Sequence, residues 1–246
     1  MLVRRVVAPA LEVNTFVLAP AQDGPCVVVD PGAGSAELLA PVLEHLGLSV
    51  GAVLVTHGHP DHVWDAAAVA DPAGVPVQIA APDRPRLADP AGADQVGDLL
   101  GGQFPLIAGT PWRRPAAVQQ MSTDLLTGGG AAVVPALGVR GIPAPGHTAG
   151  STVLLLQADE LDTGEPGDPG HVRLPTPTVP HLLLLTGDVV FAGSVGRTDL
   201  PGGDPRAMDE TLRTLTRVVD PRSILLPGHG PVTTLQHELA TNPCLS

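Results

Sequence analysis

The chain contains no tyrosine, and only three phenylalanines and two tryptophans among its 246 residues. Its core must therefore be built from leucine, valine and alanine. A hydrophobic content of 43% with 15% charged residues excludes general disorder. Cysteine is as scarce. Cys26 lies in an apolar run and Cys244 near the C-terminus, which excludes a disulfide framework and predicts two reduced thiols with no shared role. No apolar span approaches the roughly 18 residues of a membrane helix, and the stretch before Glu12 holds no run long enough for a signal peptide. These absences predict a soluble, cytoplasmic protein with no membrane partner. Basic residues are few: 13 against 25 acidic ones, a formal charge of −12. A nucleic-acid partner, which calls for a basic stripe, is disfavoured.

Glycine and proline are abundant, at 29 and 28 residues, and they punctuate the chain. Between them, residues 2–7, 13–19 and 26–29 read as successive strands. The segment 35–47 has leucines and a valine at helical spacing, with Ser35 as the expected N-cap and Gly47 just past the end. A strand at 52–56, a helix opening near His62 and a short strand at 76–80 follow. The stretch 83–130 lacks periodicity and reads as loops and short helices over one face. Strands return at 132–134, 139–142, 152–157, 182–186 and 223–226. A helix is expected over 205–219 from Asp204 as N-cap, and a last one over 233–241 from a capping box of Thr233 and Gln236. The acidic, Pro-rich stretch 159–180 reads as a surface insertion. Strands and helices alternate in both halves, predicting an α/β fold with two sheets covered by helices, in a single domain spanning 1–246.

The chemistry concentrates in VLVTHGHPDHVWDA, residues 53–66. His57, His59, Asp61 and His62 fall within six positions, directly after an apolar strand. Residues i and i+2 of an extended chain share a side, so His57 and His59 can reach one metal ion. Pro60 turns the chain, and Asp61 and His62 project from the next helix. Imidazole and carboxylate suit zinc, and also iron or manganese. A solvated histidine cluster is the plainer alternative; its position at a strand end favours a site. Three further candidates stand in Gly-bearing turns beside strands: His147 in APGHTAGST, Asp188 in LLLLTGDVVF and His229 in LLPGHGP. Asp30, in VVVDPG, reads either as a hydrogen-bond partner of the ligand loop or as a plain turn aspartate. Asn14 could face the site. Arg197, in GRTD, either organises its loop or meets an acidic substrate. His45, His171, His181 and His237 match no ligand pattern and read as solvated or structural.

HGHPDH, PGHTAGS, TGD and PGHG, in this order, resemble the ligand motifs of the metallo-β-lactamase fold. The resemblance covers nearly the whole chain and implies the αβ/βα four-layer sandwich. It implies His57, His59 and His147 at one metal, Asp61, His62 and His229 at a second, and Asp188 bridging both. FAGSVGRTDLPGGD and the C-terminal tail resemble short glyoxalase II-like (hydroxyacylglutathione hydrolase-like) enzymes. That resemblance implies two divalent ions, zinc foremost, a metal-bridging hydroxide oriented by Asp61, and a small-molecule thioester as substrate. The long glyoxalase II enzymes add a C-terminal helical domain for glutathione that finds no counterpart in this sequence, so the resemblance speaks against a glutathione thioester and leaves another thiol carrier, of the bacillithiol or mycothiol type, as the alternative. The same fold also implies a mononuclear iron persulfide dioxygenase using His57, His147 and Asp188, or a lactonase or phosphodiesterase, as alternatives. Substrate choice is expected to lie in 83–130 and 159–180.

Overall fold

A computed structural model of the chain describes residues 1–92, 103–175 and 180–245. In chain order its elements are β1 (Leu2–Ala8), β2 (Val13–Ala19), β3 (Pro25–Val29), α1 (Ser35–His45), β4 (Ser49–Leu54), α2 (Pro60–Val63), α3 (Ala66–Ala73) and β5 (Val77–Ile79). A 3-10 helix, Ala81–Ala88, and α4 (Phe104–Ala108), β6 (Val118–Gln120) and α5 (Thr123–Leu126) follow. The second half holds β7 (Ala131–Val134), β8 (Leu137–Pro143), β9 (Thr152–Ala158), β10 (His181–Gly187), β11 (Val190–Phe191) and β12 (Ser194–Val195). It ends with α6 (Pro205–Val218), β13 (Ile224–Pro227), β14 (Thr233–Thr234) and α7 (Leu235–Thr241). Among the described residues no helix is long and apolar enough to cross a membrane.

Two six-stranded sheets run β1-β2-β3-β4-β5-β6 and β14-β13-β10-β9-β8-β7. Their inner strands β3, β10 and β13 carry continuous apolar runs because both faces are buried. Alternation sorts each run between two cores. Val27, Val29, Leu54, Leu154, Leu156, Leu183, Leu185, Ile224 and Leu226 point between the sheets. Cys26, Val28 and Val53 point the other way, onto Leu39 and Val42 of α1, Leu46 just past its end, and Val69 and Ala70 of α3. Leu184 and Leu225 point outward from the second sheet onto Met208, Leu212 and Leu215 of α6 and Leu235 of α7. The result is the αβ/βα four-layer sandwich.

Several boundaries differ from expectation, for physical reasons. Ser35 is the first residue of α1 and caps nothing with its side chain. The capping carboxylate is Asp65, whose Oδ2 accepts from the Gly34 and Ala36 amides at 2.9 Å. The last helix is capped by Thr234, because Thr233 pairs in β14 and its hydroxyl donates to the buried Glu238. The strand β6 was not expected; it is short, polar and at the edge of its sheet. The described part of the expected surface insertion, 159–175, is fastened to the first sheet. The amide of Val3 donates to the carbonyl of Asp162, the amide of Arg5 to that of Gly170, and Arg4 pairs with Asp162 at 2.9 Å. It covers the open edge of β1, which would otherwise present unpaired backbone groups, and inserts Val172 into the inter-sheet core. Part of the expected loop region, 93–102, and residues 176–179 lie outside the described residues.

Candidate metal centre

Parallel strands lie side by side in each sheet, β3 with β4 in the first and β10 with β13 in the second. Their C-terminal ends open at one edge of the sandwich. Asp30 follows β3, His57 follows β4, Asp188 follows β10 and His229 follows β13. His147 comes from the β8–β9 turn. Pro60 sits at the first position of α2, where its missing N–H costs nothing. This short helix projects Asp61 and His62 toward the same point.

The structure brings all seven expected residues together. His57 Nε2 lies 3.2 Å from His59 Nδ1, which lies 2.8 Å from His147 Nε2. His229 Nε2 lies 3.3 Å from Asp61 Oδ2 and 3.4 Å from His62 Nε2. The Asp188 carboxylate stands between the two groups, 3.2 Å from His62 Nε2 and 3.6 Å from both His147 Nε2 and His229 Nε2. Three sets have their donor atoms within 4.8 Å of one another: His57, His59 and His147; His57, His62 and Asp188; Asp61, His62 and His229. His45, His171, His181 and His237 belong to none of them.

Hydrogen bonds on the far side of the rings aim these nitrogens. His147 Nδ1 donates to the Arg197 carbonyl at 2.7 Å, and His229 Nδ1 to the Leu11 carbonyl at 2.9 Å. His62 Nδ1 donates to Asp30 Oδ2 at 3.0 Å. Thr56 donates its hydroxyl to the same oxygen at 2.7 Å, leaving its own oxygen free to accept from His57 Nδ1 at 3.1 Å. Each of these four rings therefore carries its proton on Nδ1 when neutral and turns the Nε2 lone pair inward. Asp188 Oδ1 is buried and accepts no hydrogen bond. Converging lone pairs and a bare carboxylate oxygen fit a divalent cation, and the all-imidazole-and-carboxylate donor set is of the kind that holds one.

The charges respond to the same crowding. Burial, with His62, His147 and His59 beside it, pushes His57 well below the usual imidazole range. Burial and His147 bring His59 down to about 3. Burial opposes charge on His62 too, but Asp188 and Asp61 overcome it and raise that ring well above its ordinary value. His229 is raised against burial by Asp61 and Asp188. Asp61 and Asp188 are both lowered, burial notwithstanding, by the His62 ring.

Of the residues left open by the sequence, Asp30 holds the ring of His62. Asn14 is buried and braces the next loop, donating to the Pro227 and Gly230 carbonyls at 2.8 and 2.9 Å. The Arg197 guanidinium is half-exposed and paired with Asp199, while its carbonyl orients His147. Two contributors were missed. Leu11 supplies the carbonyl for His229 from a left-handed backbone, φ 59°. Asp83, fully buried, bonds to two of the ligand loops. Its only sequence signal is its place just after β5, a third parallel strand of the first sheet.

The centre opens into a cavity of about 400 Å³ lined by Leu11, Phe191, Leu200 and Arg197 together with metal-centre residues. None of its lining residues comes from 103–130 or 159–175. Among the described residues the lining beyond the metal-centre side chains comes from the β1–β2 turn and the 191–200 stretch; residues 93–102 and 176–179 of the stretches expected to choose the substrate lie outside the described residues.

The sequence profile of the Metallo-beta-lactamase superfamily matches residues 8–229. An uncharacterized protein of Mycobacterium tuberculosis is 34% identical over 247 residues, covering 100% of this chain and 98% of its own length. The hydroxyacylglutathione hydrolase GloC of Haemophilus influenzae is 27% identical, with 89% of this chain and 86% of that protein covered. Among solved structures, BLEG-1 B3 metallo-beta-lactamase superposes with a TM-score of 0.71 at 26% identity, covering 99% of both chains. TTHA1623 in a di-iron-bound form gives 0.67 at 28% identity, covering 97% of this chain and 98% of its own.

Proposed function

The chain belongs to the metallo-beta-lactamase superfamily of metal-dependent hydrolases, and on that premise we propose that it hydrolyses a thioester with two divalent ions. His57, His59 and His147 would hold one ion, Asp61, His62 and His229 the other, with Asp188 shared. Zinc is the first choice; iron and manganese suit the same donors. The single observation that carries the reading is the intact second set: Asp61, His62 and His229 have their donor atoms within 4.8 Å of one another beside the first set. A mononuclear iron dioxygenase needs only His57, His147 and Asp188.

Divalent ions held by these residues would supply a water acidified to a pKa of about 7 and an electrophile for a carbonyl oxygen. The chain's own residues do the rest. Asp61 lines the cavity, and its carboxylate accepts a hydrogen bond from the attacking water and fixes its direction. Leu11, Phe191 and Leu200 offer apolar contact to an acyl group of small or medium size. The guanidinium of Arg197 is already neutralised by Asp199, so the cavity makes no strong demand for an anionic substrate. The mouth is open to solvent, from which a departing thiolate takes its proton. The similarity to a hydroxyacylglutathione hydrolase supports thioester chemistry; we extend it to the reaction and not to glutathione. The substrate is a free small molecule, and a cytoplasmic location accords with that.

Metal content per chain, measured by element on protein purified without added metal or chelator, tests the reading together with a panel of acyl thioesters. About two equivalents of metal with release of acid and thiol are expected. One equivalent of iron, with oxygen uptake on a persulfide and no thioester hydrolysis, would overturn it.

A further inference from the structure

We infer that Asp83 is a positioning residue that locks together the loops carrying His57, His59 and His147, so that the first set of ligands depends on it and the second does not. The inference rests on the two-set reading above.

Asp83 lies in the 3-10 helix Ala81–Ala88 and has no solvent exposure. Its Oδ2 accepts from the amide of Gly58, between His57 and His59, at 2.8 Å. The same oxygen accepts from the Thr148 hydroxyl at 2.7 Å, next to His147. Its Oδ1 accepts from the Gly150 amide at 2.9 Å. One buried carboxylate thus fastens a loop of the first sheet to a loop of the second. Arg86 extends the clamp: its guanidinium Nε lies 3.4 Å from Asp83 Oδ1, and an Nη donates to the Pro201 carbonyl at 2.6 Å. Pro201 belongs to the stretch whose Arg197 carbonyl orients His147.

Two motif glycines take their reason from this clamp rather than from the metal. A Cβ at Gly150 would stand 2.6 Å from the Cβ of Asp83. A Cβ at Gly58 would stand 2.7 Å from Cδ of Arg86. Both loops must be bare at these points to reach the carboxylate. The second ligand set has separate supports, Asp30 behind His62 and Leu11 behind His229.

A buried carboxylate accepting three hydrogen bonds cannot be replaced by an amide without turning an N–H₂ toward a donor. The test compares wild type, Asp83→Asn, the milder Thr148→Val, and Leu125→Ala, a core truncation remote from the centre. Zinc is titrated against a chromogenic chelator, and amide hydrogen exchange is followed on the metal-free chain. In Asp83→Asn one of two zinc equivalents should weaken by about tenfold or more and the other hold. The Gly58 and Gly150 amides should lose protection while those of β4 and β9 keep it. Thr148→Val should weaken the same equivalent to a lesser degree and carries the test if Asp83→Asn does not fold. Leu125→Ala should lower the thermal midpoint yet keep both equivalents. Retention of both equivalents in Asp83→Asn, or a loss no more selective than in Leu125→Ala, would overturn the inference. A wild type that takes up no zinc sinks the two-metal reading instead, and the exchange pattern at Gly58 and Gly150 then decides for or against the clamp.

Discussion

Asp30 Oδ2 accepts a hydrogen bond from His62 Nδ1 at 3.0 Å, from a backbone held at φ 52°. The left-handed conformation is uncommon for aspartate, and three hydrogen bonds maintain it here. Oδ1 takes the Thr56 amide and Oδ2 takes both the Thr56 hydroxyl and the His62 ring. Asp30 therefore sets the inward lone pair of His62 directly and that of His57 through Thr56. Loss of such a partner typically costs 10- to 100-fold in metal affinity. Asp30→Asn, which turns an N–H₂ toward one of these donors, is expected to weaken zinc by about that factor with the fold retained. Chelator competition measures it, and an unchanged affinity would show that the contact orients nothing.

Metal uptake must compete with protons. In the metal-free chain Asp188 and Asp61 hold the His62 ring well above its ordinary pKa, and His229 is raised as well. Below those raised values the rings are protonated, and a metal can bind Nε2 only after the proton leaves. Apparent affinity should therefore go on rising with pH above the ordinary imidazole range and level off once both rings are neutral. Calorimetry at pH 7 in two buffers of different ionisation enthalpy should report net proton release on zinc binding, with less at higher pH. No release at pH 7 would mean the rings are neutral before metal arrives.

Gly228, in the PGHG turn, has no room for a side chain. A Cβ there would lie 2.4 Å from Asp188 Oδ1 and 2.6 Å from His62 Cε1. Gly228→Ala should displace both side chains from the centre and abolish tight zinc binding. Overpacking costs about 1–3 kcal/mol, so the metal-free protein should still melt cooperatively at a lower midpoint. Tight binding in this variant would mean that the loop moves freely, contrary to its amide bond to the Gly187 carbonyl at 2.8 Å.

The sequence exposed the centre because its ligands follow strands that announce themselves. VVV before Asp30, AVLVT before His57, LLLLT before Asp188 and ILLP before His229 are apolar on both faces. Local spacing then carries the chemistry. What was not legible is what acts at long range. Asp83 reaches Thr148 across 65 positions and Gly150 across 67, and neither end has a pattern that implies the other. Leu11 acts through a backbone carbonyl, which any residue possesses. The stretch 159–180 reads as a surface insertion because it is polar and Pro-rich, and nothing in that composition shows that the backbone of β1 finds a partner in it.

Asn14 ties the two sheets together at the centre's edge. It sits in β2 of the first sheet, and its side-chain amide donates to carbonyls at both ends of the His229 turn, Pro227 and Gly230. Its own backbone amide donates to the Gly228 carbonyl at 2.7 Å. Asn14→Ala keeps the backbone bond and removes the other two, leaving the buried Pro227 carbonyl without this donor, while the Gly230 carbonyl belongs to an exposed residue that water can reach. Each buried unsatisfied group costs about 1–3 kcal/mol. The variant should therefore melt several degrees lower. If the bonds also position His229, the zinc equivalent held by Asp61, His62 and His229 should weaken while the one held by His57, His59 and His147 does not. Thermal melts with and without zinc separate the two effects: a smaller zinc-induced rise in midpoint than in wild type is expected. An equal rise would confine Asn14 to holding the sheets together.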